Sequence, residues 1–449
     1  MKDPNRFLFP VYVLALLLVA AGFIAGMLGS GRHKPDGWNR KPGEIVFCIW
    51  GGPEEREVFG MLVDEFMHEN PDIRVRIVHV PQNYIQKLQI MVAGGTAPDV
   101  FFLPDADFPA FVVKKTMMPL DGFISKSSVI RTKDFWPTAL TRYSYDGRRL
   151  GRGTLYALPK DIGPFAMFYN KDLFRKAGLP YPSAKKAMTW DEAVSLWKKL
   201  TIPDRDHPGV IEQFGVANYT WESAVWSNGG EVLSPDGRRF VMADDARSVE
   251  ALQWVADLGN RFHCAPSSRE ARSFDPGPMF DTGKLACLVA GRWNVPHYRK
   301  LSFDWDVAPI PMSPRARTWT GWSGSVGLAM SRNCTRQREA WKLIEFLAGP
   351  HGQSVQAKTG FQIPNQRYLA FTKVFLQPDQ RPQHAEVFIE GARNQRPGVL
   401  TNAPTNEWAD EFFQRITPIW EGKLTAGEGL RRMKPYVQKG LDNSWQQDQ

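Results

Sequence analysis

From residue 44 onward the chain alternates short apolar runs with longer segments of helical period. "EIVFCIW" (44–50) is an apolar run stopped by Gly51-Gly52. Pro53 suits a first helical position, and Glu54 and Glu55 suit the positive end of a helix dipole. Val58, Met61, Leu62 and Phe66 then recur at helical spacing, and Asn70-Pro71 ends the segment. "IRVRIVHV" alternates at Ile73, Val75 and Ile77 as a strand does. A second helix is predicted from Tyr84 to Ala93, followed by the turn "GGTAPD" and the strand "VFFL". This alternation predicts an α/β protein with a mostly parallel sheet covered by helices.

Further along, Phe165 to Tyr169 is apolar at every position, as in a strand buried on both faces. Asn170 is a suitable N-cap, Leu173, Phe174 and Ala177 give an inner face, and Gly178 suits a left-handed C-terminal position. "TWDEAVSLWKKL" carries a capping box, Thr189 with Glu192, and an apolar face of Trp190, Ala193, Val194 and Trp197. "TRQREAWKLIEFLAGP" predicts a helix capped by Thr335 and stopped at Gly349-Pro350, with Ala340, Leu343, Ile344 and Leu347 inward. No internal repeat or low-complexity tract interrupts the pattern.

The amino-terminal 43 residues break it. Residues 7–29, "FLFPVYVLALLLVAAGFIAGMLG", are 23 residues without a charge. As a helix they would reach about 34 Å, enough for a hydrocarbon core. The segment reads as an uncleaved anchor, the alternative being a signal peptide cleaved near Val19-Ala20-Ala21. No cysteine follows it, which excludes a lipoprotein anchor, and "GRHKPDGWNRKPG" reads as a polar linker.

Length and charge add bounds. A chain of 449 residues is expected to form two domains. The formal charge is +9, but six basic and two acidic residues lie in positions 1–43. The basic residues of the body are scattered and not interleaved with aromatics, so nucleic acid is not an expected partner. Cys48 and Cys287 sit in apolar runs and read as buried hydrophobes, while Cys264 and Cys334, in polar surroundings, could pair. Neither C-x-x-C nor H-x-x-x-H spacing occurs, so no metal site is expected, and no cofactor. G-x-S-x-G, H-E-x-x-H and Walker A patterns are also missing.

Several stretches then fall into a known order. "WGGPEEREVFGMLVDEFMHENPDIRV", "GGTAPDVFFL", "LYALPKDIGPFAMFYNKDLFRKAGL", "NGGEVLSPDG", "FDTGKLACLVAGRWN", "WDVAPIP", "AWKLIEFLAGPHGQ" and "TGFQIPNQR" together resemble the family 1 extracellular solute-binding proteins. These are receptors of ABC importers for sugars and glycerol phosphates. The resemblance spans about residues 44–440. It implies a two-lobed, periplasmic binding protein-like fold of class α/β, with hinge crossovers and a ligand cleft between the lobes. Lobe 1 would comprise 44–158 with 312–360, and lobe 2 would comprise 159–311 with 361–449. Residues 158–179 would be the crossover into the second lobe. The implied protein is no enzyme. It is a monomer in the periplasm or on the outer face of the cytoplasmic membrane, and its partners are a carbohydrate and ABC permease subunits.

Ligands of open α/β sheets sit beyond the carboxyl ends of strands, which nominates Trp50, Gly51 and Asp105. The resemblance adds Tyr84, Asp161, Trp226, Asn228, Arg292, Trp293, Trp322, Ser323 and Phe361. Indole rings suit the C–H faces of a pyranose, while Asp, Asn and Arg suit its hydroxyls. Each has a structural rival: Trp50 as a sheet cover, Asp105 and Asp107 as turn caps, Asp161 as a hinge residue, Arg292 as an inter-lobe ion pair. Three other functions stay open. A glycosidase would draw on Glu55, Asp105, Asp107 and Asp161, a phosphodiester receptor would need basic donors, and an anchored carbohydrate sensor would need no importer.

Overall fold

The computed structural model describes residues 41, 43–272 and 275–446, so the apolar segment 7–29 lies outside the described residues. Among the described residues no helix is long and apolar enough to cross a membrane. The described residues from 45 onward form one compact unit.

The first 60 residues of that unit fold as their pattern predicts. Strands β1 (Glu44–Ile49), β2 (Arg74–His79) and β3 (Val100–Pro104) alternate with helices Pro53–Glu69 and Tyr84–Ala93. Helix Pro53–Glu69 has proline in its first turn beside Glu54 and Glu55, and buries Val58, Phe59, Leu62, Val63 and Phe66. Met61 points outward instead, because the packed stripe runs through Phe59 and Val63. A short hairpin, β4 (Ser144–Tyr145) with β5 (Thr154–Leu155), precedes β6 (Ala157–Pro159).

Beyond it come β7 (Gly163–Asn170), β8 (Ile202–Pro203), β9 (Ile211–Ala217), β10 (Leu285–Gly291), β11 (Trp305–Ala308), β12 (Trp322–Gly324), β13 (Val326–Met330) and β14 (Arg396–Pro397). Two sheets result. The smaller has the order β2-β1-β3-β13-β6; the larger runs β14-β12-β7-β10-β9-β8, with β11 also on β7. The sequence leads one to expect a mostly parallel arrangement, but both sheets are mixed. β1 and β3 are parallel, as are β9 and β10, yet β13 runs against β3 and β6, and β7 runs against β10, β11 and β12. At the far edge of the larger sheet β8 also runs against β9, to which a short connection joins it.

Every residue of β7 is buried, as its unbroken apolar run requires. Asn170 caps the next helix by accepting from the Asp172 and Leu173 N–H groups; Ala177 is exposed as its C-cap, and Gly178 takes φ +66°. The Thr189–Glu192 capping box forms, and Trp190 stacks on Trp254 at 4.4 Å with planes 10° apart. Arg336, and not Thr335, precedes helix Gln337–Ala348, and Pro350 opens helix Pro350–Lys358 where a stop was expected. All four cysteines are buried, and Cys264 and Cys334 do not form a disulfide.

The chain leaves the smaller sheet after Pro159 and enters the larger at Gly163. It returns between Gly324 and Val326, later than the boundary at 312 expected from the sequence. A further link is the bridge between Ile162 and Ile363.

Candidate functional site

A cavity of about 550 Å³ opens where these passages meet. The carboxyl ends of β1 and β3 contribute Trp50, Gly51 and Asp105; the end of β10 contributes Trp293; the passages contribute Lys160, Asp161, Trp322, Ser325, Phe361 and Gln362. Seven of the sequence candidates therefore share one space: Trp50, Gly51, Asp105, Asp161, Trp293, Trp322 and Phe361.

Their rings are held by what lies beneath them. Trp50 meets Tyr84 edge-on at 4.7 Å and Phe102 at 5.3 Å. Tyr84 is itself fixed, its hydroxyl donating to the Phe102 carbonyl at 2.8 Å and the Cys48 carbonyl at 3.1 Å. Trp322 and Trp293 flank Phe165, with centroids 4.7 and 5.6 Å away. Each also lies on glycine. A Cβ at Gly163 would approach the Trp293 ring to 2.8 Å, and one at Gly291 would overlap it. A Cβ at Gly324 would come within 2.7 Å of the Trp322 ring, and one at Gly398 would overlap its Nε1. Trp293 keeps 43% of its surface exposed, the largest exposure of any apolar cavity residue.

The polar part is a network of compensated charges. Lys160 is buried, with Nζ 2.7 Å from Glu55 and 2.9 Å from Asp161, 3.3 Å from the Gln362 amide oxygen, and 5.1 Å from the Phe102 ring centroid. Burial works against its charge, but the Asp161 and Glu55 carboxylates outweigh that and hold its pKa above the usual lysine value. Asp161 also accepts the Val326 N–H at 2.8 Å, and its carbonyl accepts the Ser325 hydroxyl at 2.7 Å, which ties two passages together. Asp105 is buried against Arg142, whose Nη1 also donates to the Ser323 carbonyl at 2.6 Å. Burial pushes the Asp105 carboxyl up despite the arginine beside it. Asp107, which makes no side-chain cap, is raised to about 6 by burial and by the Asp105 charge. Glu54, at the rim, pairs with Lys300 at 3.0 Å and is held below the usual range by that bond.

Five candidates lie outside the cavity lining. Tyr84 supports Trp50 from below, and Ser323 is buried against Arg142. Trp226 lies under the Arg396 guanidinium at 4.8 Å, and Arg396 itself pairs with Glu231 through two 2.8 Å contacts. Asn228 spends its amide on the Arg247 carbonyl and Glu250, and accepts from Ser313. Arg292 forms no ion pair among the described residues; its guanidinium lies on the Phe375 ring at 4.1 Å. The inter-lobe ion pair considered for it is therefore replaced by aromatic stacking.

Sequence reasoning missed Lys160, Gln362 and Arg142. Lys160 stands beside Asp161 in the crossover stretch, so adjacency could have found it. Arg142 carries no local signal, because its partners Asp105 and Ser323 lie 37 and 181 residues away.

A family model described as bacterial extracellular solute-binding protein matches residues 52–354. A binding protein of Brucella abortus (strain 2308) is 27% identical over 342 residues, covering 70% of this chain and 77% of that protein. The galactooligosaccharide-binding protein of Bacillus subtilis is 23% identical over 411 residues, 89% of this chain and 91% of its own length. The structure of an ABC substrate-binding protein from Listeria monocytogenes in complex with cycloalternan superposes with a TM-score of 0.77 at 23% identity, covering 89% of this chain and 99% of that one. That likeness shows the two-lobed fold.

Proposed function

This chain belongs to the bacterial extracellular solute-binding protein family, and from that premise we propose that it captures a mono- or oligosaccharide between its lobes and delivers it to the permease of an ABC importer. The observation that carries the reading is the convergence of three anchored indoles, Trp50, Trp293 and Trp322, on one cavity that also presents Asp105 and Asp161. Flat apolar rings match the C–H faces of a pyranose, and carboxylates accept from its hydroxyls. The Bacillus and Listeria relatives, named for a galactooligosaccharide and seen with cycloalternan, favour a saccharide. A volume of about 550 Å³ suits more than one sugar ring.

The charge pattern argues against a phosphorylated ligand. Lys160 is engaged by two carboxylates, and Glu54, Glu55, Asp105 and Asp161 all border the cavity. A phosphate would enter an acidic space in which, among the described residues, each lysine or arginine is already paired with a carboxylate. The same pairings argue against glycoside hydrolysis: Lys160 and Arg142 hold Glu55, Asp161 and Asp105, and the fourth carboxyl, Asp107, does not border the cavity. Lobe 1 is then 44–159 with 326–360 and lobe 2 is 163–324 with the carboxyl-terminal helices. The protein acts as a monomer outside the cytoplasmic membrane, anchored by, or processed from, residues 7–29. Titration calorimetry with neutral oligosaccharides, sugar phosphates and glycerol phosphodiesters tests the reading. Heat with the neutral sugars alone is the expected result, and binding confined to the phosphorylated ligands would overturn it.

A further inference from the structure

One residue behind Trp293, Arg292 is 1% exposed yet faces no carboxylate. Its guanidinium lies between the rings of Phe375 at 4.1 Å and Phe388 at 5.3 Å, and Nη2 donates to the Phe375 carbonyl at 3.3 Å. Nε and Nη1 are buried with no partner. The surroundings add positive charge. Arg299 donates from Nε to the Arg381 carbonyl at 2.7 Å and from Nη2 to the Gln377 side-chain oxygen. Arg381 in turn donates from Nη2 to the carbonyls of Arg299 and Leu301 at 3.0 and 3.2 Å. Among the described residues none of these three arginines forms an ion pair with a carboxylate.

Neutral oxygens and ring faces do not cancel this charge. A guanidinium keeps its proton under ordinary conditions, and a buried charge is tolerated when something of opposite sign stands beside it. The two phenyl rings lie within cation–π range of Arg292 and leave Nε and Nη1 unspent. Phe375, Gln377 and Arg381 all contact the cluster, and Arg292, itself buried, borders none of the cleft cavity, which suits a compact occupant and not a bulky oxyanion.

We propose that the protein holds a small monovalent inorganic anion, of the size of chloride, against Nε or Nη1 of Arg292, with Arg299 supplying the second positive charge. The anion would be a resident part of the second lobe, one layer behind the Trp293 wall of the cleft. It would neutralise the cluster and keep the segment after Phe375 packed on the end of β10.

Bromide is the direct probe. Crystals of the protein grown in sodium bromide are expected to show an anomalous peak in hydrogen-bonding range of Arg292 Nε or Nη1. Water at both nitrogens, without an anomalous peak, would overturn the proposal. In solution, replacing gluconate by chloride at constant ionic strength is expected to raise the melting temperature by about 2 °C. That rise should vanish in Arg292→Met. An equal rise in the variant would also overturn the proposal. Should Arg292→Met not fold, the half-buried Arg299→Gln carries the same comparison, with a weakened chloride response expected.

Discussion

The six-membered ring of Trp293 lies so close over Gly291 that no Cβ fits between them. Gly163 underlies the same ring from the neighbouring strand. The orientation of this indole is therefore set by two backbone positions that themselves carry no side chain. Gly291→Ala should tilt the ring without disturbing β10, whose register with β7 and β9 is unaffected by a methyl group on the cavity side. Sugar affinity is expected to fall by about tenfold while melting temperature moves little; calorimetry against the wild type checks this. Unchanged affinity would show that Trp293 is not a stacking platform.

Tryptophans of the cleft and of the core should separate cleanly. Trp322→Ala removes a ring that borders the cavity and should weaken binding by about 2- to 12-fold, with a modest loss of stability. Trp190→Ala opens a void beside Trp254 and should cost about 3–5 kcal/mol of stability. The folded fraction of that variant should bind sugar as the wild type does. Denaturant melts and titrations on the same samples test both halves.

Lys160→Met should be among the most damaging single changes. It leaves Glu55 and Asp161 without the cation that both contact, at a cost of about 3–5 kcal/mol. Because the folded pKa of Lys160 lies above the ordinary 10.5, its stabilisation is present throughout neutral pH. It is lost only as pH rises past that value. Urea midpoints of the variant and the wild type should therefore differ equally at pH 6 and pH 8.

Asp107 works in the opposite direction. Its carboxyl is raised from 3.8 to about 6, so the folded state prefers the protonated form. Stability attributable to this group is full below about pH 4 and falls away as pH rises to about 6. Asp107→Asn should stabilise the protein by about 2 kcal/mol at pH 7.5 and by little at pH 3.5. A thermal melt at each pH decides the matter, and a gain that is the same at both would refute the titration argument.

What was legible in the sequence follows a physical line. Local signals carried well: the capping box at Thr189, the turn at Gly178, and the buried run Phe165–Tyr169 all depend on residues within a few positions of one another. Trp50 and Asp105 could be found because the carboxyl ends of strands form clefts. Arg142 could not, since its role exists only once Asp105 and Ser323 converge on it. The mixed sheets were missed for a related reason, as strand direction is fixed by pairings between segments far apart in the chain. Trp226 and Asn228, nominated by the resemblance, lie apart from the cavity, and Arg396, Glu250 and Ser313, which contact them, are far from both in the chain and invisible to local patterning.

The parallel stack of Trp190 on Trp254 has an optical consequence. Two indoles at 4.4 Å with nearly coincident planes couple their electronic transitions, so they should contribute a paired band to the circular dichroism that isolated tryptophans do not. The pair lies in the interior of the second lobe and borders no part of the cleft. Its signal therefore reports whether that lobe is assembled, and the emission change on adding ligand that is lost in Trp293→Phe reports the cleft. Circular dichroism and emission together can thus distinguish an empty receptor from an unfolded one.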